Sequence, residues 1–204
     1  MKVDGGAVRM RLRAATRDRH DRMERVMDLP RRLATRASLA AMLDRIHGFY
    51  VPLEARLAAL PWAPAGLAFD ERRKAGWLVD DLLALGARPS GATCTRLPVL
   101  DTLTAGLGSL YVLEGATLGG QLIARELARL GVDAAHGGRF FASYGAEVGP
   151  RWRQFVDVLE THCAGEVATD AAIEAAAATF DRYGDWMLGL DAEAAGSADA
   201  RLAC

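Results

Sequence analysis

The chain has 204 residues, 51% of them hydrophobic and 25% charged, a balance that suits one folded domain and excludes a disordered polar chain. Its 25 Lys+Arg against 26 Asp+Glu leave a net charge of -1, which removes the simplest electrostatic case for a nucleic-acid partner. Cys94, Cys163 and Cys204 are odd in number, far apart and free of CxxC spacing, so a reducing cytoplasm is expected rather than a disulfide framework.

The N-terminal run MKVDGGAVRMRLRAATRDRH lacks the apolar centre of a signal peptide. A first amphipathic helix is expected from about Ala7 to Asp28, stopping at Leu29-Pro30 because proline restricts the residue before it. A second is expected from Ser38, as N-cap, to Leu60, with a kink or split at Pro52. A third covers Asp70 to Leu85 and ends at Gly86. The Gly, Pro, Ser and Thr of Ala87 to Pro98 read as a loop. A glycine-studded helix follows from about Val99 to Leu130, then a looser stretch holding Gly131, Gly137 and Gly138. The final helices are expected over Pro150 to His162 and Thr169 to Leu190, with 191–204 as a small, polar, flexible tail. No segment alternates with a strand period and no repeat is present. The expected fold class is therefore all-α, one domain over 1–204 with its ordered core at about 7–190.

Between Asp101 and Arg125 the only charge is Glu114, a length that could cross a bilayer. Five glycines, Thr102, Ser109 and Gln121 oppose that reading, as does a mid-membrane acid costing about 2.5–3.5 kcal/mol. A buried core helix is expected instead.

Two constellations carry chemistry. On the first helix Arg13, Thr16, His20, Glu24 and Met27 recur at spacings of three and four and share a face. His20 there can offer one imidazole nitrogen to a metal while Glu24, one turn on, accepts from the other. The same pair also reads as an ordinary solvated surface pair. In the second constellation Gly115, Gly119 and Gly120 fall within six residues of one helix. Each glycine costs a helix interior about 1 kcal/mol relative to alanine, so something must offset the three. Close packing of a neighbouring helix does so, and so does a planar ligand lying on bare backbone. Composition favours the first explanation.

The combination is more specific than its parts. LRAATRDRHDRMERVMDL resembles the proximal helix of heme oxygenases, and LGSLYVLEGATLGGQLIARELARLG resembles their distal helix. HGGRFFASYGAEVGPRWRQFVDVLE, with its WRxF element at Trp152 to Phe155, is similar to the segment that follows in bacterial members, and ERRKAGWLVDDLLALG fits before the loop. The resemblance spans about residues 10 to 190. It implies a multi-helix fold with heme between the two helices, and His20 as axial iron ligand. It further implies Glu24 as the acid bonded to that ligand, Arg13 and Tyr111 near a propionate, and Phe180 as an aromatic beside heme. Gly115 and Gly119 become the glycines touching heme and bound oxygen, with Gly120 beside them. Ala116 stands where mammalian-type members carry a water-organising aspartate, as in other bacterial members, so the groups that hold pocket water are left open.

The activity implied is oxidative opening of heme, substrate and cofactor at once, to biliverdin, carbon monoxide and iron. Dioxygen is consumed, and electrons must come from an external ferredoxin or reductase because no flavin or nicotinamide fingerprint is present. The biliverdin would supply a bacteriophytochrome, or the iron would be the purpose. The alternative is a protein that binds or stores heme without opening it; it would keep His20 but need no glycine-lined oxygen pocket.

Other motifs fall away. Asp44-x-x-His47 and Asp133-x-x-His136 have metal-like spacing, but no Glu-x-x-His pair accompanies them. No GxxxxGK[ST], HExxH or GxSxG occurs. Trp62, Trp77, Trp152 and Trp186 are expected to be packing residues.

Overall fold

Each expected helix forms, and its ends follow local chemistry. The computed structural model describes residues 6–202, and side chains over 6–189. Helix α1 spans Ala7–Met27 and buries Val8, Leu12, Thr16 and Met23 along one stripe. Its first turn has no cap of its own. The carboxylate of Glu160, far along the chain, accepts from the N–H groups of Val8 and Arg9 at 3.0 and 2.8 Å, placing negative charge where the helix dipole favours it. The helix stops at Asp28 in a left-handed conformation (φ 37°), and a single turn, α2, covers Leu29–Arg32 with Pro30 in its first turn.

Helix α3 runs Arg36–Ala58. Its cap is Thr35, not Ser38: the two side chains exchange hydrogen bonds with each other's backbone N–H, so Ser38 closes the box from inside. Pro52 neither ends nor splits the helix. Leu39, Met42, Leu43, Ile46, Phe49, Leu53 and Leu57 are all fully buried, and that continuous stripe outweighs one missing backbone bond. Helix α4, Ala75–Ala84, begins later than expected. Phe69–Arg72 instead forms a 3-10 turn, and the Glu54 carboxylate accepts from the N–H groups of Lys74 and Ala75 at 2.6 and 3.2 Å, fixing where α4 starts.

Helix α5, Leu103–Leu127, is capped by Thr102, whose hydroxyl accepts from Ala105 N–H. It passes through Gly119-Gly120 without a break. The single turn α6 (Arg139–Ala142) has its N–H groups taken by Asp81, and α7 spans Val148–His162. Helix α8, Glu166–Leu202, extends past the expected end at Leu190. The flexibility expected of 191–204 lies outside the residues whose side chains are described.

Helix α8 is the spine on which α1, α3 and α5 pack. Its approach to α5 is close: a Cβ on Gly108 would lie 2.0 Å from the Ala172 carbonyl oxygen, so only glycine fits. About two turns further along α8, the buried Thr179 hydroxyl donates to Ser109 at 3.0 Å. Toward α1 the contact is rimmed by ion pairs, Arg11 with Asp170, Arg19 with Asp181 and Arg22 with Asp185. These are solvent-exposed and hold orientation more than they stabilise. No helix among the described residues is long and apolar enough to cross a membrane.

Candidate active-site cleft

Thr179 and Phe180 are neighbours on α8 that serve different walls. Thr179 bonds Ser109 of α5, while the ring of Phe180 meets the imidazole of His20 on α1 edge to face, centroids 6.1 Å apart. Helix α8 thus touches both α5 and α1 at this level, and the space between those two helices is the candidate cleft. On the α1 side the expected face divides. Thr16 turns inward, its hydroxyl donating to the Leu12 carbonyl, and Met27 is half-buried; Arg13, His20 and Glu24 stay exposed.

His20 is 58% exposed at its side chain, a ring open to an incoming ligand. Its Nδ1 lies 3.8 Å from Glu24 Oε1 and 3.9 Å from Asp21 Oδ1. Both separations exceed a hydrogen bond, so the expected His20–Glu24 bond is not made here, although a modest rotation of either exposed side chain would close it. His20, Asp21 and Glu24 form the one group of metal-ligating side chains among the described residues, and none of Asp44, His47, Asp133 or His136 belongs to it. His136 instead bonds Asp133 locally at 2.8 Å.

On the α5 side the three glycines part company. A Cβ on Gly119 would meet nothing within 4 Å, and one on Gly115 only the edge of Trp152 at 3.9 Å. Gly120 faces the other way. There a Cβ would lie 2.8 Å from the Phe141 carbonyl oxygen, so Gly120 is a packing glycine against α6 and not part of the open wall. One residue of helix is a rotation of about 100°, which separates them. Leu118 and Leu122 share the open face with Gly119 and are 43% and 65% exposed, although the segment was expected as a buried core helix. An apolar wall, a bare backbone patch and an unoccluded imidazole together suit a flat apolar ring carrying a metal.

Such a ring's carboxylates need cations at one end. Tyr111, on the same face of α5, is half-buried beside Trp152, ring centroids 5.8 Å apart. Burial raises its phenol pKa, and the charges of Arg9 and Arg13 on α1 pull it back down. Arg13, which the resemblance sets beside Tyr111, is thus one of the two charges acting on that phenol. Arg9 was not singled out in the sequence; its i, i+4 relation to Arg13 was the available signal.

Behind α5 lies a buried polar cluster that sequence reasoning missed. Glu114, fully buried, accepts from Arg72 Nη1 at 2.5 Å, Lys74 Nζ at 2.8 Å and the Tyr144 hydroxyl at 2.8 Å. Arg72 also donates to Gln154 Oε1 at 3.0 Å. The only signal in the sequence was a lone acid in an apolar helix, because its partners lie 30 to 42 residues away.

The family model described as heme oxygenase matches residues 7–189. A heme oxygenase of Xanthomonas campestris pv. campestris is 33% identical over 145 residues, 71% of this chain and 85% of that protein. The heme oxygenase PigA of Pseudomonas aeruginosa is 30% identical over 178 residues, 86% of this chain and 88% of that protein. Among solved structures, the NO- and CO-bound heme oxygenase from Neisseria meningitidis superposes with a TM-score of 0.79 at 22% identity, over 90% of this chain and 91% of that one, a likeness of fold.

Proposed function

Since the chain belongs to the heme oxygenase family and degrades heme, we propose that the cleft between α1 and α5 is where it does so, within a single domain over 1–204. His20 takes the iron from the α1 side. Glu24, by turning toward Nδ1, fixes the imidazole tautomer and strengthens the ligand. Phe180 holds the imidazole plane from the edge. Gly115 and Gly119 leave space and bare backbone on the opposite side, and Leu118 and Leu122 exclude water from the ring's apolar edge. Arg13, Arg9 and Tyr111 receive propionate and so set the ring's rotation in the cleft.

Heme is at once the substrate and the group whose iron binds dioxygen, and that chemistry is heme's own. What the chain adds is orientation, a dry wall and a neutral nitrogen ligand, which pushes less toward O–O cleavage than a thiolate does. Electrons come from an external ferredoxin or reductase, which goes with a reducing cytoplasm and with the free thiols of Cys94 and Cys163. The products are biliverdin, carbon monoxide and iron, the biliverdin passing to a bacteriophytochrome or the iron being kept.

The observation that carries this reading is that Gly119, in the helix most costly in glycine, has open space where its side chain would be. A heme-storage protein has no need of it. The test is to supply the heme complex with ferredoxin, its reductase and oxygen. Replacement of the heme spectrum by that of a bilin supports the enzyme, and heme recovered intact would overturn it.

A further inference from the structure

Three helical glycines make residues 115–120 of α5 the part of that helix least able to hold its own shape. Yet this is the segment that must stand at a fixed height over the substrate. The structure shows what backs it. Gly120 rests on the Phe141 carbonyl, and Gln121 Nε2 donates to the Gly145 carbonyl at 3.2 Å. One residue before Gly115, Glu114 is gripped by Arg72, Lys74 and Tyr144.

The grip is built from separate segments. Arg72 and Lys74 precede α4, Lys74 Nζ also donates to the Arg72 carbonyl, and Arg72 reaches Gln154 on α7. Tyr144 is delivered by Ser143, which sits at φ 52° with its hydroxyl buried and unpartnered. A non-glycine residue adopts that backbone only where its surroundings impose it. Here the turn aims the phenol at Glu114.

We propose that Glu114 is a positioning residue, whose clamped carboxylate sets the rotation and height of Gly115 and Gly119 above heme and thereby which edge of the ring is opened. The inference rests on the cleft reading above. Glutamine at 114 keeps the size but not the charge. Its one carbonyl oxygen would have to serve three donors, and its NH2 would face a buried cation. The helix can relieve that only by turning or shifting, and its glycine segment is the part free to move.

The test uses the full-length protein as wild type, Glu114→Gln, Tyr144→Phe and Leu39→Ala. The last removes a buried side chain of α3 remote from the clamp and controls for lost stability alone. Two quantities are read: the biliverdin isomer ratio under ferredoxin turnover, and hydrogen exchange of peptides covering 115–122 without heme. Glu114→Gln is expected to lower the ratio of major to minor isomer about tenfold and Tyr144→Phe about threefold, as loss of a charge-assisted and of a single hydrogen bond would allow. Both variants should exchange faster over 115–122, while Leu39→Ala keeps the wild-type ratio.

Wild-type ratios and exchange in both clamp variants would overturn the proposal, as would an equal change in Leu39→Ala. If Glu114→Gln does not fold, Tyr144→Phe decides alone. Failure of the cleft reading shows elsewhere, as unimpaired turnover in Gly119→Leu, whatever Glu114 does.

Discussion

The ring of Phe180 stands edge-on to the imidazole of His20 at 6.1 Å, so α8 bears directly on the side chain assigned to the iron. Because Thr179, the preceding residue, bonds to α5, both walls of the cleft are referred to one helix. His20→Ala removes the ligand and leaves α1 packed through Leu12, Thr16 and Met23, since the His20 side chain is mostly exposed. The expected result is a folded protein without the histidine-ligated heme spectrum, partly regained with added imidazole. An unchanged spectrum would assign the ligand elsewhere.

Glu24 is expected to matter to the strength of the ligand bond more than to its existence. Its Oε1 lies 3.8 Å from His20 Nδ1, within reach of a small rotation. Glu24→Ala should bind heme with a lowered iron–histidine Raman stretching frequency. A frequency equal to wild type would mean the two side chains do not meet in the complex.

Gly119 and Gly120 make opposite predictions for stability. Gly119→Ala adds a methyl into open space and should stabilise by about 0.8–1 kcal/mol through helix propensity. Gly120→Ala drives its methyl toward the Phe141 carbonyl and should destabilise by about 1–3 kcal/mol. Urea midpoints separate the two, and equal shifts would show that both glycines share one environment.

That contrast also marks how far the sequence could be read. Periodicity and turn residues placed the helices, and the cost of three glycines marked α5 as special. Spacing alone did not say which glycine faced the cleft, because adjacent residues point about 100° apart and the direction depends on where α6 lies. The segment read as a buried core helix because its chemistry is that of core, yet Leu118 and Leu122 are exposed, since exposure depends on which neighbours pack against each face. Glu114 was visible as an oddity in an apolar helix. Its partners come from loops whose path depends on packing, as Ser143 illustrates with a backbone conformation that serine does not itself favour.

Glu54 should leave a signature in the pH dependence of stability. Burial raises its carboxyl pKa above the ordinary value of 4.5, against the pull of the Lys74 and Ala75 N–H groups and the charges of Lys74 and Arg73. With the folded pKa above the unfolded one, its contribution is full below pH 4.5 and is lost as pH rises through the folded pKa. Glu54→Gln removes the titration. Plotted against pH, the stability of wild type relative to this variant should therefore fall across that window. A flat or rising difference would contradict the assignment.

The most direct test of the cleft is bilin yield per bound heme, wild type against Gly119→Leu, under ferredoxin turnover. Leucine is a better helix former than glycine by most of 1 kcal/mol, and the site around Gly119 is open, so the fold should hold. Heme should still bind through His20, because α1 is untouched. The account predicts a normal histidine-ligated spectrum with bilin formation collapsed, as the side chain fills the space facing the iron. A mutant that makes biliverdin at the wild-type rate would place the reaction away from the Gly119 face and contradict the account.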